Sequence, residues 1–183
     1  MRILGWLASV GAASAADIAA VCEIGPRAAG ARLRGLESAR LSRSVRLLHG
    51  EPALHALTRR GLSAAGRREY EPTRISVSNF GHLLAVSEVA TALRQAGRTV
   101  CGEKELRALE RAGDTPLASA AIGIADDGST AWHRPDLVCW DDGLPTAIEV
   151  ELTVKAPRRL RAIVRGWARS RLVGAVVYYV TPA

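Results

Sequence analysis

The chain has 183 residues, enough for one medium domain or two small ones, and its 48% apolar content is that of a folded protein rather than a disordered one. A net charge of +7 and a pI near 10.1 favour a polyanionic partner. No run approaches eighteen apolar residues, which excludes a membrane-spanning helix, and three widely spaced cysteines (Cys22, Cys101, Cys139) without metal-ligand spacing indicate reduced thiols in an intracellular, cytoplasmic protein.

The opening, MRILGWLASVGAASA, has the charge, apolar patch and small residues of a secretion signal. Its apolar run is short, Gly5 interrupts it, and the next segment continues the helical pattern, so it is assigned to the fold. Residues 2–10 form a short helix. Ser14 then caps a second helix, with Asp17 three residues on as a capping-box partner and Ile18, Ala19, Val21 and Cys22 as its apolar positions. Gly25-Pro26 turns the chain, and Pro26 suits the first position of a third helix running to about Leu36. Arg27, Arg32 and Arg34 spread around that helix, leaving Leu33 and Leu36 for a core. Two strands follow, 42–49 and 53–58, joined by Gly50-Glu51-Pro52.

Three helices and a hairpin are the order of a winged helix-turn-helix, with the third helix placed for a DNA groove and Arg43 and Arg46 on the wing. Residues 1–70 carry eleven arginines against five acidic residues, so most of the net charge lies here. Duplex DNA is one partner that fits; a protein-interaction role with arginines kept for solubility is the other. His49 and His55 fall on or beside the wing strands and are hairpin residues rather than ligands. This first domain spans 1–68.

Residues 69–79 break the pattern with Pro72 and a polar stretch, and act as a linker to a second domain at 80–183. From Phe80 a helix runs to near Gly97 on Leu83, Leu84, Val86, Val89, Ala90, Ala92 and Leu93, with His82 at its start and Glu88 within it. Residues 98–101 form a short strand, and a charged helix follows through Glu103, Glu105, Leu106 and Leu109. Residues 111–130 are loop with one weak strand at 121–124.

The stretch from His133 to Lys155 holds the chemistry. It predicts two strands joined by a turn at Asp141-Asp142-Gly143. In the second strand Ala147, Glu149, Glu151 and Thr153 face one way, and Ile148, Val150 and Leu152 the other. Two carboxylates two residues apart among apolar neighbours repel each other, and a cation is the simplest partner to offset that cost. Asp136, after Pro135 in the first strand, comes close to Glu149 if the strands pair. A basic helix follows, with Pro157 in its first turn and Leu160, Ile163, Val164 and Trp167 on its apolar side. From Lys155 to Arg171 there are seven basic residues and no acidic one, whereas 126–151 hold seven acidic residues against Arg134 alone. Carboxylates beside arginines suit phosphate cleavage, and they equally suit charge compensation across an α/β interface. The run LVGAVVYYVT reads as a covered strand.

Pro135-Asp136, Glu149-Val150-Glu151 and Lys155 resemble the motif of the PD-(D/E)XK nuclease superfamily. From the helical start through His82 and Glu103 to the last strand, the chain resembles the replication-relaxation family of bacterial mobile elements, which joins a winged helix to such a domain. The resemblance implies an α/β fold (α+β overall) with a mixed central sheet. It makes Asp136 the motif aspartate and Glu149 the second carboxylate. Glu151 stands where the lysine usually does, and Lys155 reaches back or contacts phosphate. Glu88 is the first candidate for the glutamate of the first core helix and Glu103 the second. Similar domains continue beyond the strand at Val176–Val180, which implies a shortened domain, or a homodimer or protein partner covering that side.

Asp136, Glu149 and the Val150 carbonyl are hard oxygen donors suited to Mg2+ or Mn2+. Glu151 or Lys155 would orient a water, and Arg158, Arg159 and Arg161 would offset phosphoryl charge. The activity implied is DNA cutting or nicking. Two other functions fit the same residues: a non-catalytic DNA-binding regulator or replication accessory protein, and an interaction module of a defence or toxin system. His133, flanked by Trp132 and with Trp140 at the strand's far end, adjoins the motif and reads either as a strand-edge residue or as a residue of the site. Tyr178-Tyr179 is not a nicking pair, since no histidine pair accompanies it and only one of the two would face the core.

Overall fold

The computed structural model describes residues 2–140, 142–153 and 155–181. They form a helical N-terminal region followed by a mixed sheet flanked by helices, in two compact units, 1–98 and 99–183.

In the first unit the order is α1 (Arg2–Val10), β1 (Ala12–Ser14), α2 (Ala15–Cys22), α3 (Pro26–Ser38), β2 (Ser42–Val45), β3 (Leu54–Leu57), α4 (Arg59–Ala64) and α5 (Val77–Gln95). The antiparallel sheet has the order β1-β3-β2, with Ala13 opposite His55 and His55 opposite Ser44. The strand β1 is absent from the sequence prediction because three small residues carry no alternation; pairing with β3 makes it a strand. Both hairpin strands are shorter than predicted; Arg43 lies within β2 and Arg46 just beyond it.

Ser14 caps α2 as the sequence indicates: its Oγ accepts from the Asp17 N–H at 3.1 Å. Asp17 Oδ2 in turn accepts from Ser14 N at 3.0 Å and from Ser14 Oγ and Ser87 Oγ, each at 2.8 Å. Asp17 and Ser87 are both buried. One carboxylate thus closes the cap and ties α2 to α5. Ala12, Leu54 and Ala56 pack with Phe80 and Leu84 of α5. The helix begins at Val77, behind a Ser76 capping box with Asn79. The segment expected as a linker therefore lies inside the first unit, and so does the helix expected to open the second. Its apolar stripe has the same period whichever unit it covers, which is why the pattern alone did not assign it.

His55, buried on β3, meets Glu37 of α3 through Nδ1–Oε1 at 3.1 Å. Burial lowers its pKa more than Glu37 raises it. His49 is exposed.

The second unit contains β4 (Val100–Gly102), α6 (Glu103–Gly113), β5 (Ala120–Ile124), β6 (Thr130–His133), β7 (Leu137–Cys139), β8 (Thr146–Glu151), α7 (Pro157–Arg169) and β9 (Ala175–Val180). The sheet order is β4-β7-β8-β9, with β8 and β9 parallel through the α7 crossover and the other pairs antiparallel. β5 and β6 make a separate hairpin. Val138 clusters with Leu106 of α6, and Ala147 with Ile163 and Trp167 of α7.

Three expectations need correction here. The strand predicted from His133 is two: His133 ends β6, and β7 is only Leu137–Cys139, because Pro135 and the pairing partners divide them. β8 ends at Glu151, so Thr153 has no place on its face. Strand β9 lies at a sheet edge with Val177, Tyr178, Tyr179 and Val180 all exposed, so neither tyrosine is a core residue. An apolar run reports strand preference and not whether anything covers it. Asp141, of the predicted turn, lies outside the described residues; Gly143 supplies a positive φ of +94° there.

Replacing Asp17 by Ala leaves the Ser14 and Ser87 groups without their acceptor. The expected loss is about 2 kcal/mol by urea unfolding of the full chain, with a smaller loss for Ser87→Ala. Equal stability of Asp17→Ala and wild type would contradict this account of the α2–α5 junction.

Candidate active site

Asp136 immediately precedes β7, and Glu149 lies on the adjacent antiparallel strand β8. Leu137 pairs with Ile148, Val138 with Ala147 and Cys139 with Thr146. Extending that register by one residue sets Asp136 opposite Glu149. Asp136 Oδ2 accepts from Val150 N at 2.8 Å, which holds the aspartate against the backbone of the glutamate strand.

Glu149 is 3% exposed. Its Oε1 accepts from His133 Nε2 at 2.6 Å and from Trp167 Nε1 at 3.0 Å. The two rings meet edge-on, with centroids 5.8 Å apart and planes at 71°. A buried carboxylate without partners would cost several kcal/mol, and two nitrogen donors offset that. Protein groups already offset the Glu149–Glu151 repulsion: two nitrogen donors serve Glu149, and Lys155 forms an ion pair with Glu151. Neither His133 nor Trp167 was legible as a partner of Glu149. His133 lies sixteen residues away on another hairpin, and Trp167 carries the spacing of an ordinary apolar position. Tyr178 stands beside Glu149 on β9, its pKa raised first by burial and then by the Glu149 charge.

The two candidates for a third acidic residue separate. The Glu103 N–H donates to the Asp136 carbonyl at 3.1 Å, which sets the start of α6 against the start of β7. Its carboxylate pairs with Arg107. Glu88 belongs to α5 in the first unit, exposed, with a pKa raised by partial burial and then by the charges of Asp17 and Glu51. His82 is half-buried within the same helix.

Sequence reasoning missed Glu110. It is buried and accepts from Leu117 N at 3.0 Å, Ala118 N at 3.4 Å and Ser119 Oγ at 2.5 Å through Oε1, while Oε2 takes Arg134 Nε at 2.8 Å. This carboxylate fastens the entry to β5 and the residue after His133. Its signal was available: Glu110 follows Leu106 by four, on the buried stripe of α6.

The arginines proposed for DNA fall into three sets. Arg27, Arg32 and Arg34 are exposed on α3, where Ala29 and Leu33 turn to the core. Arg43 donates to the Thr73 carbonyl at 2.8 Å and Arg46 to that of Glu51 at 3.2 Å. Arg158, Arg159 and Arg161 are exposed in the first turns of α7.

Among the described residues no group of three His, Cys, Asp or Glu side chains could hold a metal ion. The oxygen donors at the strand pair are two carboxylates and the Val150 carbonyl, hard ligands of the kind Mg2+ and Mn2+ take. Both nitrogen donors meet Oε1 of Glu149, as partners that fix a carboxylate's orientation do. The residues are chemically compatible with such an ion.

No helix among the described residues is long and apolar enough to cross a membrane. A family profile described as replication-relaxation matches residues 4–173. No curated protein and no solved structure matches the chain.

Trp167→Phe keeps a ring beside Ile163 and Ala147 but removes a donor from a buried carboxylate. It is expected to cost about 2 kcal/mol in urea unfolding at neutral pH. A loss below about 0.5 kcal/mol would mean that this hydrogen bond does not hold Glu149 in place.

Proposed function

The chain belongs to the replication-relaxation family, and on that premise we propose that it binds duplex DNA during mobile-element replication or processing and cuts or nicks it with Mg2+ or Mn2+. We take the first unit as a winged helix-turn-helix, supported by three helices preceding the hairpin and by the β1-β3-β2 order. Arg27 and Arg34, seven residues apart on the outward side of α3, are the proposed groove contacts; Arg32 flanks them. The second unit is taken as PD-(D/E)XK nuclease-like.

The observation that carries the catalytic reading is the 2.8 Å bond from Val150 N to Asp136 Oδ2, which brings one carboxylate to the peptide that follows the other. Asp136, Glu149 and the Val150 carbonyl would hold the ion, which when bound polarises the scissile phosphate. His133 and Trp167 keep Glu149 oriented by donating to Oε1. Arg158, Arg159 and Arg161 would draw the DNA backbone toward the pocket, and Lys155, paired with Glu151, would position a water or a phosphate oxygen.

A non-catalytic DNA-binding role is favoured by one specific contact, the Glu151–Lys155 pair. It leaves an acidic residue at the position of the motif lysine and engages the only nearby lysine in the sequence. Incubating supercoiled, linear and branched DNA with Mg2+ or Mn2+ separates the two readings. Catalysis predicts metal-dependent nicking by the wild type and a loss of at least about 100-fold in Asp136→Ala. Equal nicking by both proteins would exclude this pocket. Absence of nicking on every substrate, with salt-sensitive duplex binding retained, would establish the non-catalytic role.

A further inference from the structure

The second unit carries a basic surface that the carboxylate pocket does not use. Two clefts of about 430 and 750 Å3 meet at one residue, Trp132 of β6, which lines both and is 37% exposed. Both volumes fall within the range of about 300–1,000 Å3 common to ligand clefts. The smaller cleft is walled by Arg107 and Arg111, one turn apart on α6, and by Arg134, with Glu110 and Asp114 as its acidic members. The larger is walled by Arg165 and Arg169 of α7 and by Arg171, with no acidic side chain in its lining.

Charge is unevenly consumed along this surface. Arg107 pairs with Glu103 and Arg134 with Glu110. Arg111, Arg165, Arg169 and Arg171 enter none of the ion pairs among the described residues of this unit, and all four are exposed. Trp132 is also unlike the other tryptophan of the adjoining site. Trp167 spends its N–H on Glu149 and is buried, whereas Trp132 presents a large, partly exposed ring that lines the larger cleft together with Ile122 and Ile124. Gly166 brings the two walls together: a Cβ there would meet the Ala121 carbonyl oxygen at 2.8 Å and Ile122 Cγ2 at 2.9 Å. Its bare backbone lets α7 lie on β5, which sets Arg165 and Arg169 along the cleft that Trp132 closes.

We infer that this surface binds single-stranded DNA, with a base stacked on Trp132 and the flanking phosphates held by Arg111 on one side and by Arg165, Arg169 and Arg171 on the other. A ring at the junction of two basic clefts suits an unpaired base, whose face is open for stacking. In a duplex that face is already covered by neighbouring bases, and phosphates alone would make the ring superfluous. This inference assigns a strand-binding surface distinct from α3 and from the carboxylate pocket, and it does not depend on cutting.

The test is fluorescence anisotropy of the full chain with an oligo(dT) of about 16 nucleotides, in EDTA so that any metal-dependent cutting is silent. Trp132→Ala is expected to weaken binding about tenfold, and Trp132→Phe, which keeps a stacking face, by about threefold or less. Arg165→Ala/Arg169→Ala should lower the slope of log affinity against log salt by about 0.7 for each phosphate no longer neutralised. Arg27→Ala/Arg34→Ala should weaken a duplex and leave oligo(dT) affinity nearly unchanged. The inference is overturned if the wild type does not bind oligo(dT), or if Trp132→Ala binds as tightly as wild type. A Trp132→Phe loss equal to that of Trp132→Ala would overturn it too, as would poly-glutamate competing as well as unlabelled oligo(dT). Nicking assays in Mn2+ report separately on the carboxylate pocket, so the two readings fail independently.

Discussion

A carboxylate almost wholly removed from water, Glu149, imposes the strictest requirement on the second unit. Charge in that position persists only where hydrogen-bond donors reach it, and the donors come from elsewhere in the chain: His133 at the end of β6 and Trp167 on α7. The hairpin and the crossover helix must therefore both close over β8. The close approach of Gly166 to Ala121 lets them do so. Asp136 adds the link from β7 to the Val150 peptide. The pocket is thus held by a network in which each member supports an element as well as the site.

Two further buried carboxylates follow the same rule. Asp17 gathers the Ser14 cap and Ser87, and Glu110 gathers the 117–119 backbone and Arg134. Each joins segments far apart in sequence. Buried acidic groups here organise the fold through N–H, O–H and guanidinium donors. That use of a carboxylate differs from the one suggested by two like charges on a strand, where a metal ion is the first partner to come to mind. A divalent ion remains chemically compatible with Asp136 and Glu149, beside the protein donors that already reach Glu149.

Surface charge shows a complementary division. In the first unit, Arg27, Arg32 and Arg34 stand exposed on α3, and Arg43 and Arg46, also at the surface, donate to backbone carbonyls. In the second, exposed arginines continue along α7, opposite its buried Ile163 and Trp167. Both helices keep an apolar stripe inward and leave guanidinium groups outside, an arrangement that gives long-range attraction to polyanions without destabilising the core.

What the sequence determined by itself was whatever depends on local spacing. The Ser14–Asp17 cap, Pro26 at the head of α3, the strand at β8 and the helix at α7 are set by residues within a turn or two of each other and appear where the pattern puts them. But β8 is buried on both faces rather than alternating, and Val164, expected on the apolar side of α7, is exposed. Tertiary structure alone decided three matters. It placed α5 with the first unit, since one apolar stripe fits any complementary face. It left β9 uncovered at the sheet edge, since hydrophobicity does not encode a neighbour. It chose the partners of Glu149, because a hydrogen bond between residues sixteen and eighteen positions apart exists only once strand pairing and helix packing have brought them within 3.0 Å.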